Sequence, residues 1–289
     1  MPLPTARIGV IGGTGLYDIQ GIKDVIEVDA DTPFGKPSDT ITVGKLGGVD
    51  IAFLPRHGRK HTISPAELPS RANIYALKKL GVEFIISSNS CGSFMEELKP
   101  GDLLIPDQII DRTQGRTSTF FNEGIVAHIQ FAEPFCPVLS EIVFKAAKEA
   151  GATVHNGGTF IAMEGPAFSS RAESRLYKAW GADVLGMTIL PEAKLAREAE
   201  ICYASIACIT DYDSWDEVKE VVMVETILKR MRSNINFAKK TIKLASKRMP
   251  KKRKCGCINA LDGAITTDFA AIPATKKKEL DLLIRKYVK

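Results

Sequence analysis

Two aspartates stand two residues apart at the end of a long apolar run. The run covers residues 201–209, and Asp211 and Asp213 follow it. An apolar run of this length is typical of a strand that is buried on both faces. In open α/β sheets the ligand crevice lies outside the carboxyl ends of the strands, so carboxylates there, beside Tyr212 and Trp215, favour recognition of a heterocycle. The alternative is an ordinary strand end with two solvated aspartates and a packing tryptophan.

A glycine-rich turn, Gly12-Gly13-Thr14-Gly15, follows the first apolar stretch. Such a turn exposes backbone N–H groups, which suit an anion. The spacing of dinucleotide-binding and nucleoside triphosphate-binding motifs is absent. A small phosphate, bound with the help of the Thr14 hydroxyl, is therefore one interpretation, and a simple tight turn is the other.

A second group of anion-binding side chains, Arg56-His57-Gly58-Arg59-Lys60-His61, ends another predicted strand. A guanidinium can bind an oxyanion through two N–H groups, and a histidine adds a donor whose charge can change. A basic surface loop is the alternative. The apolar run that starts at Phe84 ends in a third polar strand end, which is rich in hydroxyls, amides and glycine.

Strands and helices are predicted to alternate and to bring these strand ends together. The predicted strands cover residues 7–11, 40–46, 49–54, 84–93, 103–110, 153–163, 182–187 and 201–211, and the predicted helices cover 65–80, 137–150, 191–199, 218–247 and 276–287. Gly47-Gly48 indicates a hairpin, which argues against a purely parallel sheet. We expect one α/β domain over residues 1–289, with a mixed, partly barrel-like sheet surrounded by helices.

Composition is that of an ordinary globular protein, with 45% hydrophobic and 25% charged residues among 289. No apolar stretch approaches the roughly 18 residues of a membrane span, and the first residues lack a signal-peptide core, so a cytoplasmic location is expected. The net charge of +5 is concentrated in residues 239–254, which hold nine Lys and Arg residues and no acid. Nucleic-acid binding is one interpretation of that run, and a solvated helix end with its loop is favoured because interleaved aromatics are missing.

Six cysteines allow several interpretations. They could be buried thiols, or they could form disulfides, as intracellular proteins of hyperthermophiles do. Cys202 and Cys208 would face the same side of a strand. Cys255-Gly-Cys257 is too tight for a zinc site without another Cys or His nearby, and none follows, so no metal site is expected.

The ordered set of motifs closely resembles the 5′-methylthioadenosine phosphorylase family, in the trimeric class of purine nucleoside phosphorylases. The resemblance runs from residue 7 to about residue 247, and the tail from Cys255, with its Cys-Gly-Cys, looks like archaeal members. Each motif is weak alone, but the set is specific. It consists of Gly12-Gly13-Thr14-Gly15, residues 31–38, residues 56–62, Cys91-Gly92-Ser93, residues 132–136, residues 164–173, residues 180–183 and residues 210–213.

The resemblance implies which residues bind each part of the substrates. The phosphate co-substrate would contact Thr14, Arg56, His57, Asn89, Ser90 and Thr188. Met187 would lie under the ribose, Phe168 would stack on the purine, and Ser169, Asp211, Tyr212 and Asp213 would surround its edge. Val224 and Ile227 would shape the 5′-methylthio pocket, which His128 of a neighbouring subunit would reach. The Asn89-Ser90 pair departs from the family, which has threonine and alanine there.

Cleavage of 5′-methylthioadenosine by phosphate, giving adenine and 5-methylthioribose 1-phosphate, is the activity that the resemblance implies. Asp211 would protonate the purine and Asp213 would accept from its 6-amino group, without a metal or an organic cofactor. The expected partners are the nucleoside, phosphate and further copies of the chain, as a trimer or a dimer of trimers. Neither a membrane nor nucleic acid is expected.

Two other functions remain open on the sequence. A purine nucleoside phosphorylase for inosine and guanosine, or a broader enzyme for adenosine, would use the same motifs, although Asp213 favours a 6-amino purine. An RNA-binding protein that uses the basic run is the alternative from another class. For the cysteines, we predict at least one intrachain disulfide that joins a strand cysteine to a distant one, with Cys91 free.

Overall fold

Two long parallel strands form the centre of the sheet, β5 (Phe84–Ser93) and β11 (Cys202–Asp211). All ten residues of β11 are buried, as its apolar sequence predicts. The computed structural model describes residues 3–13, 16, 21–215 and 224–288, with the backbone alone for 226–229 and 231–233. Thr14 lies outside the described residues, and so does the side chain of Ile227.

The other strands of the described chain are β1 (Ile8–Gly12), β2 (Ile22–Val28), β3 (Ile41–Leu46), β4 (Val49–Pro55), β6 (Leu103–Ile105), β7 (Gln108–Arg112), β8 (Val154–Asn156), β9 (Thr159–Met163) and β10 (Val184–Gly186). The helices are α1 (Ser70–Lys79), α2 (Pro137–Glu149), α3 (Arg171–Ala179), α4 (Glu192–Glu198), α5 (Val224–Ser246), α6 (Ala274–Glu279) and α7 (Asp281–Ile284). Short 3-10 helices cover Pro65–Glu67 and Gly256–Asn259.

The strands form one mixed sheet, in the order β2-β3-β4-β1-β5-β10-β9-β7. Strand β11 pairs with β5 and with β6, and β6 pairs with β8, so a second branch leaves the main path at β5. The pairs β1–β4, β1–β5 and β5–β11 are parallel, whereas β10 runs antiparallel to β5. This arrangement confirms the predicted mixed sheet with its surrounding helices.

The predicted hairpin forms at Gly47-Gly48, between antiparallel β3 and β4. Both glycines have positive φ, 60° and 87°, which is the backbone of the two-residue turn that matches strand twist. A side chain at either position would be strained in this region of φ. The turn therefore sets the register in which β4 delivers Arg56 to the end of β1.

Two long predicted strands are wrong in their extent. Residues 103–110 form β6 and β7, separated at Pro106, and residues 153–163 form β8 and β9, separated at Gly157-Gly158. Proline lacks the N–H that a ladder requires, and glycine weakens a strand interior. Strand β2 and helix α3 were not predicted. Strand β2 is largely exposed, so its sequence lacks the pattern of a buried face.

The segment after α5 packs into the same core as the rest of the chain. Leu261, Ile272, Leu280, Leu283 and Ile284 are buried there. The backbone at Ala264 accepts a hydrogen bond from the His128 N–H at 2.8 Å, and Ile265 forms a bridge with Ala127. This tail therefore supports the loop that carries His128.

The basic run is partly used within the chain. Arg248 pairs with Glu149, and Arg253 Nη1 donates to Glu200 O at 2.5 Å. These contacts fit the predicted helix end and loop. In the described part of the chain, no helix combines the length and apolar character that crossing a membrane requires.

The predicted disulfide is absent from the structure. Each of the six cysteines lies within the described residues as a free thiol, and Cys91 is buried. The Sγ atoms of Cys202 and Cys255 are 3.3 Å apart, whereas a disulfide bond is about 2.05 Å long. The fold brings these sulfurs together without bonding them.

Candidate active site

A cavity of about 310 Å³ opens where several strands end at the same edge of the sheet. The carboxyl ends of β1, β4, β5 and β11 meet there, because these strands are parallel neighbours. Antiparallel β10 and the residues that follow it also line the cavity. The wall includes Gly13, Arg56, His57, His61, Pro65, Ser90, Cys91, Gly92, Pro166, Phe168, Leu185, Gly186, Met187, Thr188, Thr210, Asp211, Asp213 and Val224.

A buried ion pair orients Arg56 at one end of the cavity. Arg56 and Glu192 are each 1% exposed, and Arg56 Nε and Nη2 donate to the two Glu192 oxygens at 2.5 and 3.1 Å. Arg56 Nη1 also donates to Ser88 O at 2.9 Å, and Nη2 donates to Ser87 Oγ at 2.6 Å. The Tyr203 hydroxyl donates to Glu192 at 3.0 Å. The guanidinium is therefore held in one orientation with its charge compensated.

The hydroxyl of Thr188 lies in the same end of the cavity, where an amide behind the wall orients it. Thr188 Oγ1 donates to Asn89 Oδ1 at 2.8 Å, and Asn89 Nδ2 donates to Ser87 Oγ and Ser205 Oγ at 3.0 and 2.8 Å. Ser90, the next residue along β5, lines the cavity. Because successive side chains of a strand point to opposite faces, Asn89 and Ser90 lie on opposite sides of β5. Asn89 was predicted to contact phosphate, whereas its side chain lies behind the wall and positions Thr188.

His57 lies beside Arg56 as a neutral ring. Burial lowers the pKa of His57 to about 4, and the adjacent Arg56 charge acts in the same direction. Because Ile63 O is 2.8 Å from His57 Nδ1, that nitrogen carries the proton, and Nε2 is the acceptor of the ring. Its ring stacks on His61 with centroids 4.5 Å apart. His57 was predicted to be a donor whose charge can change. At neutral pH its ring is uncharged, and Nε2 is an acceptor.

The two aspartates lie together at the other end of the cavity. The register between β11 and β5 shifts between Ile209 and Asp211, so that Asp211 lies opposite Gly92. Asp211 Oδ1 accepts from the Asp213 N–H at 2.9 Å, and Oδ2 accepts from Thr210 Oγ1 at 2.7 Å. A Cβ at Gly92 would lie 2.7 Å from Asp211 Oδ1. Only glycine therefore leaves room for the carboxylate at this bulge.

The environment of the two carboxyls differs. Burial raises the pKa of the Asp211 carboxyl, and the neighbouring Asp213 carboxylate adds to the rise, against hydrogen bonds from Thr210 and the Asp213 N–H. Asp213 has a φ of 44° and receives the Ser169 hydroxyl, which is 2.9 and 2.8 Å from its two oxygens. The Asp211 carboxyl is therefore suited to carry a proton.

A residue that the sequence did not indicate, Arg116, joins two walls of the cavity. Its Nη1 donates to Met187 O and Leu190 O at 2.6 and 2.9 Å, and its Nη2 donates to Glu164 O at 2.6 Å. Its Nε contacts the Glu164 carboxylate at 3.0 Å. Glu192 was missed as well, because four of the seven residues of α4 are charged and nothing in the sequence distinguishes Glu192 among them. Arg116 gave no local signal either.

The remaining predicted residues divide into four groups. Phe168, Met187 and Val224 line the cavity. Ser169 lies behind Asp213, and Tyr212 points away and donates to Glu96 O at 3.3 Å, since alternate residues of an extended chain face opposite sides. His128 is exposed on a loop outside the cavity wall. Thr14 and the side chain of Ile227 lie outside the described residues.

A sequence profile of the phosphorylase superfamily matches residues 7–246. This chain belongs to the phosphorylase superfamily. The phosphorylase is 56% identical over 282 residues to the S-methyl-5′-thioadenosine phosphorylase of Geobacter sulfurreducens, covering 97% of this chain and 99% of that protein. It is 50% identical over 290 residues to the enzyme of the same name from Thermosynechococcus vestitus, covering 98% and 100%.

Solved structures resemble the phosphorylase over nearly its whole length. A methylthioadenosine phosphorylase from an antarctic soil metagenomic library is 44% identical, with a TM-score of 0.92 over 97% of this chain and 99% of that one. The methylthioadenosine phosphorylase of Schistosoma mansoni, in complex with adenine, is 35% identical, with a TM-score of 0.83 over 97% and 98%. The phosphorylase thus has the same fold as these methylthioadenosine phosphorylases.

The ion pair predicts a strong effect of the substitution Glu192→Gln. It leaves the Arg56 charge buried without its counter-ion, which should cost roughly 3–5 kcal/mol of unfolding free energy. We expect urea denaturation at pH 8 to show this loss, together with a raised KM for phosphate.

Glu198→Gln is the matched control for that experiment, because Glu198 is a buried carboxyl on the same helix outside the cavity wall. Burial raises the pKa of Glu198 to about 7, because the charged form is disfavoured in the folded state. The protonated carboxyl therefore contributes stability at low pH, and this contribution is lost as pH rises through 7. At pH 8 the control should be neutral or stabilising. Equal losses in the two variants would contradict a dominant role for the ion pair.

Proposed function

We propose that this phosphorylase cleaves 5′-methylthioadenosine with inorganic phosphate and releases adenine and 5-methylthioribose 1-phosphate. The observation that carries the proposal is that fixed hydrogen-bond donors and carboxyls line different parts of the cavity. Arg56 and Thr188 lie beside Ser88 and Asn89 of β5, whereas the carboxyl of Asp211, next to Asp213, lies opposite Gly92 further along the same strand. A dianion and a purine need these opposite environments at the two ends of one nucleoside. Two findings on similar proteins support this assignment. One relative is an S-methyl-5′-thioadenosine phosphorylase, and a similar solved structure holds adenine.

Phosphate acts as the nucleophile at C1′ in this reaction. The bond between C1′ and the purine nitrogen breaks, the bond from a phosphate oxygen to C1′ forms, and the purine gains a proton at N7. Arg56 is held by Glu192 before phosphate arrives, so little reorganisation is needed to align the anion. His57 can accept from the hydroxyl of a protonated phosphate. These roles of the residues are part of the proposal.

The purine binds between Phe168 and the acidic end of the cavity. Asp211 supplies the N7 proton, because its buried carboxyl has the raised pKa. Asp213, oriented by Ser169, accepts from the 6-amino group. Met187 lies under the ribose, and Val224 borders the 5′-methylthio group. The reaction as proposed uses phosphate as co-substrate and no organic cofactor.

Cleavage should depend on inorganic phosphate. Equal cleavage rates in phosphate-free buffer would mean hydrolysis and would contradict the proposal. On phosphate binding the Thr188 O–H would turn from Asn89 Oδ1 to a phosphate oxygen. Thr188→Val removes this hydroxyl and should raise the KM for phosphate by roughly tenfold, the effect of losing one hydrogen bond to a charged group. Thr188→Ser keeps the hydroxyl and is the control. A spectrophotometric assay of adenine release at varied phosphate measures both constants.

A purine nucleoside phosphorylase for inosine, guanosine or adenosine is the second candidate function. It would use the same phosphate end, so the base end decides between them. A 6-oxo purine would place an acceptor opposite the Asp213 carboxylate, and two unpaired buried groups cost on the order of 1–3 kcal/mol. Asp213 therefore favours a 6-amino purine.

Substitutions at the two aspartates should separate their roles. The enzyme should prefer methylthioadenosine over its inosine analogue by at least about tenfold. Asp213→Asn supplies an NH₂ donor and should narrow or invert this ratio of kcat/KM values, whereas Asp211→Asn should lower turnover on both substrates. Removing the Asp213 charge should also move the alkaline limb of activity to lower pH, because that charge raises the pKa of Asp211. An unchanged ratio in Asp213→Asn would exclude Asp213 as the base-reading residue.

The active enzyme is a cyclic oligomer, a trimer or a dimer of trimers, in which His128 of one subunit completes the site of the next. His128 is exposed, and so are the apolar side chains of Phe168, Leu176 and Trp180, at 44%, 47% and 47%. Such a set is what an interface between copies would cover. The cytoplasmic location expected from the sequence stays a prediction.

Mixing two inactive variants tests whether His128 acts across the interface. A site with an intact Asp211 from His128→Ala and an intact His128 from Asp211→Asn forms only in mixed oligomers. Co-expression at equal amounts should restore about one quarter of wild-type activity in a cyclic assembly. Co-expression of Asp211→Asn with Asp213→Asn is the control: both residues belong to the same subunit's part of the site, so activity should not exceed the average of the two variants measured alone. Absence of recovery in the first pair would show that His128 does not act in the neighbouring site.

A further inference from the structure

Four of the six cysteine side chains converge at one point away from the cavity. The Sγ atoms of Cys136, Cys202, Cys255 and Cys257 all lie within 4.8 Å of one another. Three of the four residues are buried, and Cys255 is partly exposed. None of them lines the cavity described above. No further Cys or His follows Cys255-Gly-Cys257 in the sequence, which predicted no metal site, but the fold brings two further sulfurs there from distant parts of the chain.

Hydrogen-bonded secondary structure positions these cysteines. Cys136 immediately precedes α2, and its N–H donates to Tyr203 O at 2.9 Å. Cys202 begins β11, and its N–H donates to Glu83 O at 2.9 Å. Cys255 and Cys257 stand at the start of the 3-10 helix Gly256–Asn259. Three separate segments thus deliver four sulfurs to one point.

We propose that these four thiolates bind one structural zinc ion. A tetrahedral ion with zinc–sulfur bonds of about 2.3 Å places its sulfurs about 3.8 Å apart. The observed 3.3 Å between Cys202 and Cys255 and the limit of 4.8 Å for the whole set bracket this value. Four protein ligands complete the coordination of zinc, so the site has no open position for catalysis.

Binding is an exchange of protons and water for metal, with no change of oxidation state. Four S–H groups release their protons to solvent, the zinc ion loses its water ligands, and four zinc–sulfur bonds form. The resulting tetrathiolate centre carries a net charge of −2. Arg197 lies close enough to Cys257 to act on its charge and offsets part of this negative charge.

Two disulfides are the competing arrangement for the same four sulfurs. A disulfide joins sulfurs two by two, at about 2.05 Å, and separates the pairs. Here all four sulfurs are mutually close, which is the arrangement that one central ion requires. The zinc site would attach the tail to the start of β11, and the tail in turn bonds the backbone of His128.

The metal content of the purified protein tests the proposal. The full chain is purified in reductant without chelator, and its zinc is measured by mass spectrometry of the elements, with an expected value of about one ion per chain. Cys255→Ser and Cys257→Ser should each lose most of the zinc. Cys208→Ser is the matched control, since Cys208 is a buried cysteine on β11 outside the cluster, and it should keep the metal.

Cobalt provides a second readout that does not depend on variants that fold. Reduced wild-type protein stripped of zinc should bind added Co²⁺ and show the sulfur-to-cobalt charge-transfer bands and strong visible absorption of a tetrahedral thiolate site. Readdition of zinc should remove these bands and raise the melting temperature.

Several results would overturn the proposal. One is a reduced protein that holds no zinc and takes up neither Zn²⁺ nor Co²⁺. Another is a Cys255→Ser variant that keeps a full equivalent of zinc. A third is mass spectrometry of protein alkylated before exposure to air that finds Cys136–Cys202 or Cys255–Cys257 disulfides in place of four thiols.

Discussion

The geometry of the whole site depends on one buried ion pair. Burying a guanidinium or a carboxylate alone costs several kcal/mol, so each must be matched by charge and by hydrogen bonds. Arg56 follows β4, Glu192 begins α4, Ser87 and Ser88 belong to β5, and Tyr203 belongs to β11. A shift of β4 or α4 would leave a buried charge unpaired, and a shift of β5 or β11 would remove hydrogen bonds from the pair. The pair therefore sets the mutual positions of three strands and a helix as well as the orientation of one cation.

The proposed chemistry depends on keeping that cation away from the acids. At the far end of the cavity the bulge in β11 turns Asp211 towards Gly92, and the left-handed backbone of Asp213 returns its N–H to Asp211. Both carboxyls are thus held by hydrogen bonds from the protein before a substrate binds. Positive charge that develops on a ribose would lie between a fixed dianion and a purine that takes up a proton. Preorganised groups of this kind need no rearrangement during the reaction.

Local sequence could predict residues whose role follows from a strand end. Arg56, Asp211 and Asp213 belong to short polar strings after apolar runs, and all three line the cavity. Thr188 also lines it but stands between apolar residues, so only the family resemblance indicated its role. Tyr212 shares its string with Asp211 and Asp213 but faces the opposite side, because side chains alternate along an extended chain.

Residues defined by distant partners could not be predicted in the same way. Glu192 and Arg116 have meaning only through Arg56 and through the carbonyls of Glu164 and Met187. The sulfur cluster gave the same difficulty, since Cys136 and Cys202 lie far from Cys255 in sequence. The fold class was within reach because it depends on the alternation of apolar runs and turns. Loop partners and register shifts depend on which strands meet, and no single stretch of sequence records that.

The pairing of β5 with late strands has a consequence for synthesis on the ribosome. β5 emerges together with its neighbour β1, but its other partners, β10 and β11, are made much later. Until then one edge of β5, a ten-residue strand that is almost wholly buried in the finished fold, has no partner, and Arg56 has no Glu192. A nascent chain of this length exposes the kind of edge on which aggregation begins. The cell must therefore shield this half-built sheet, or complete the chain quickly, before the cavity can exist.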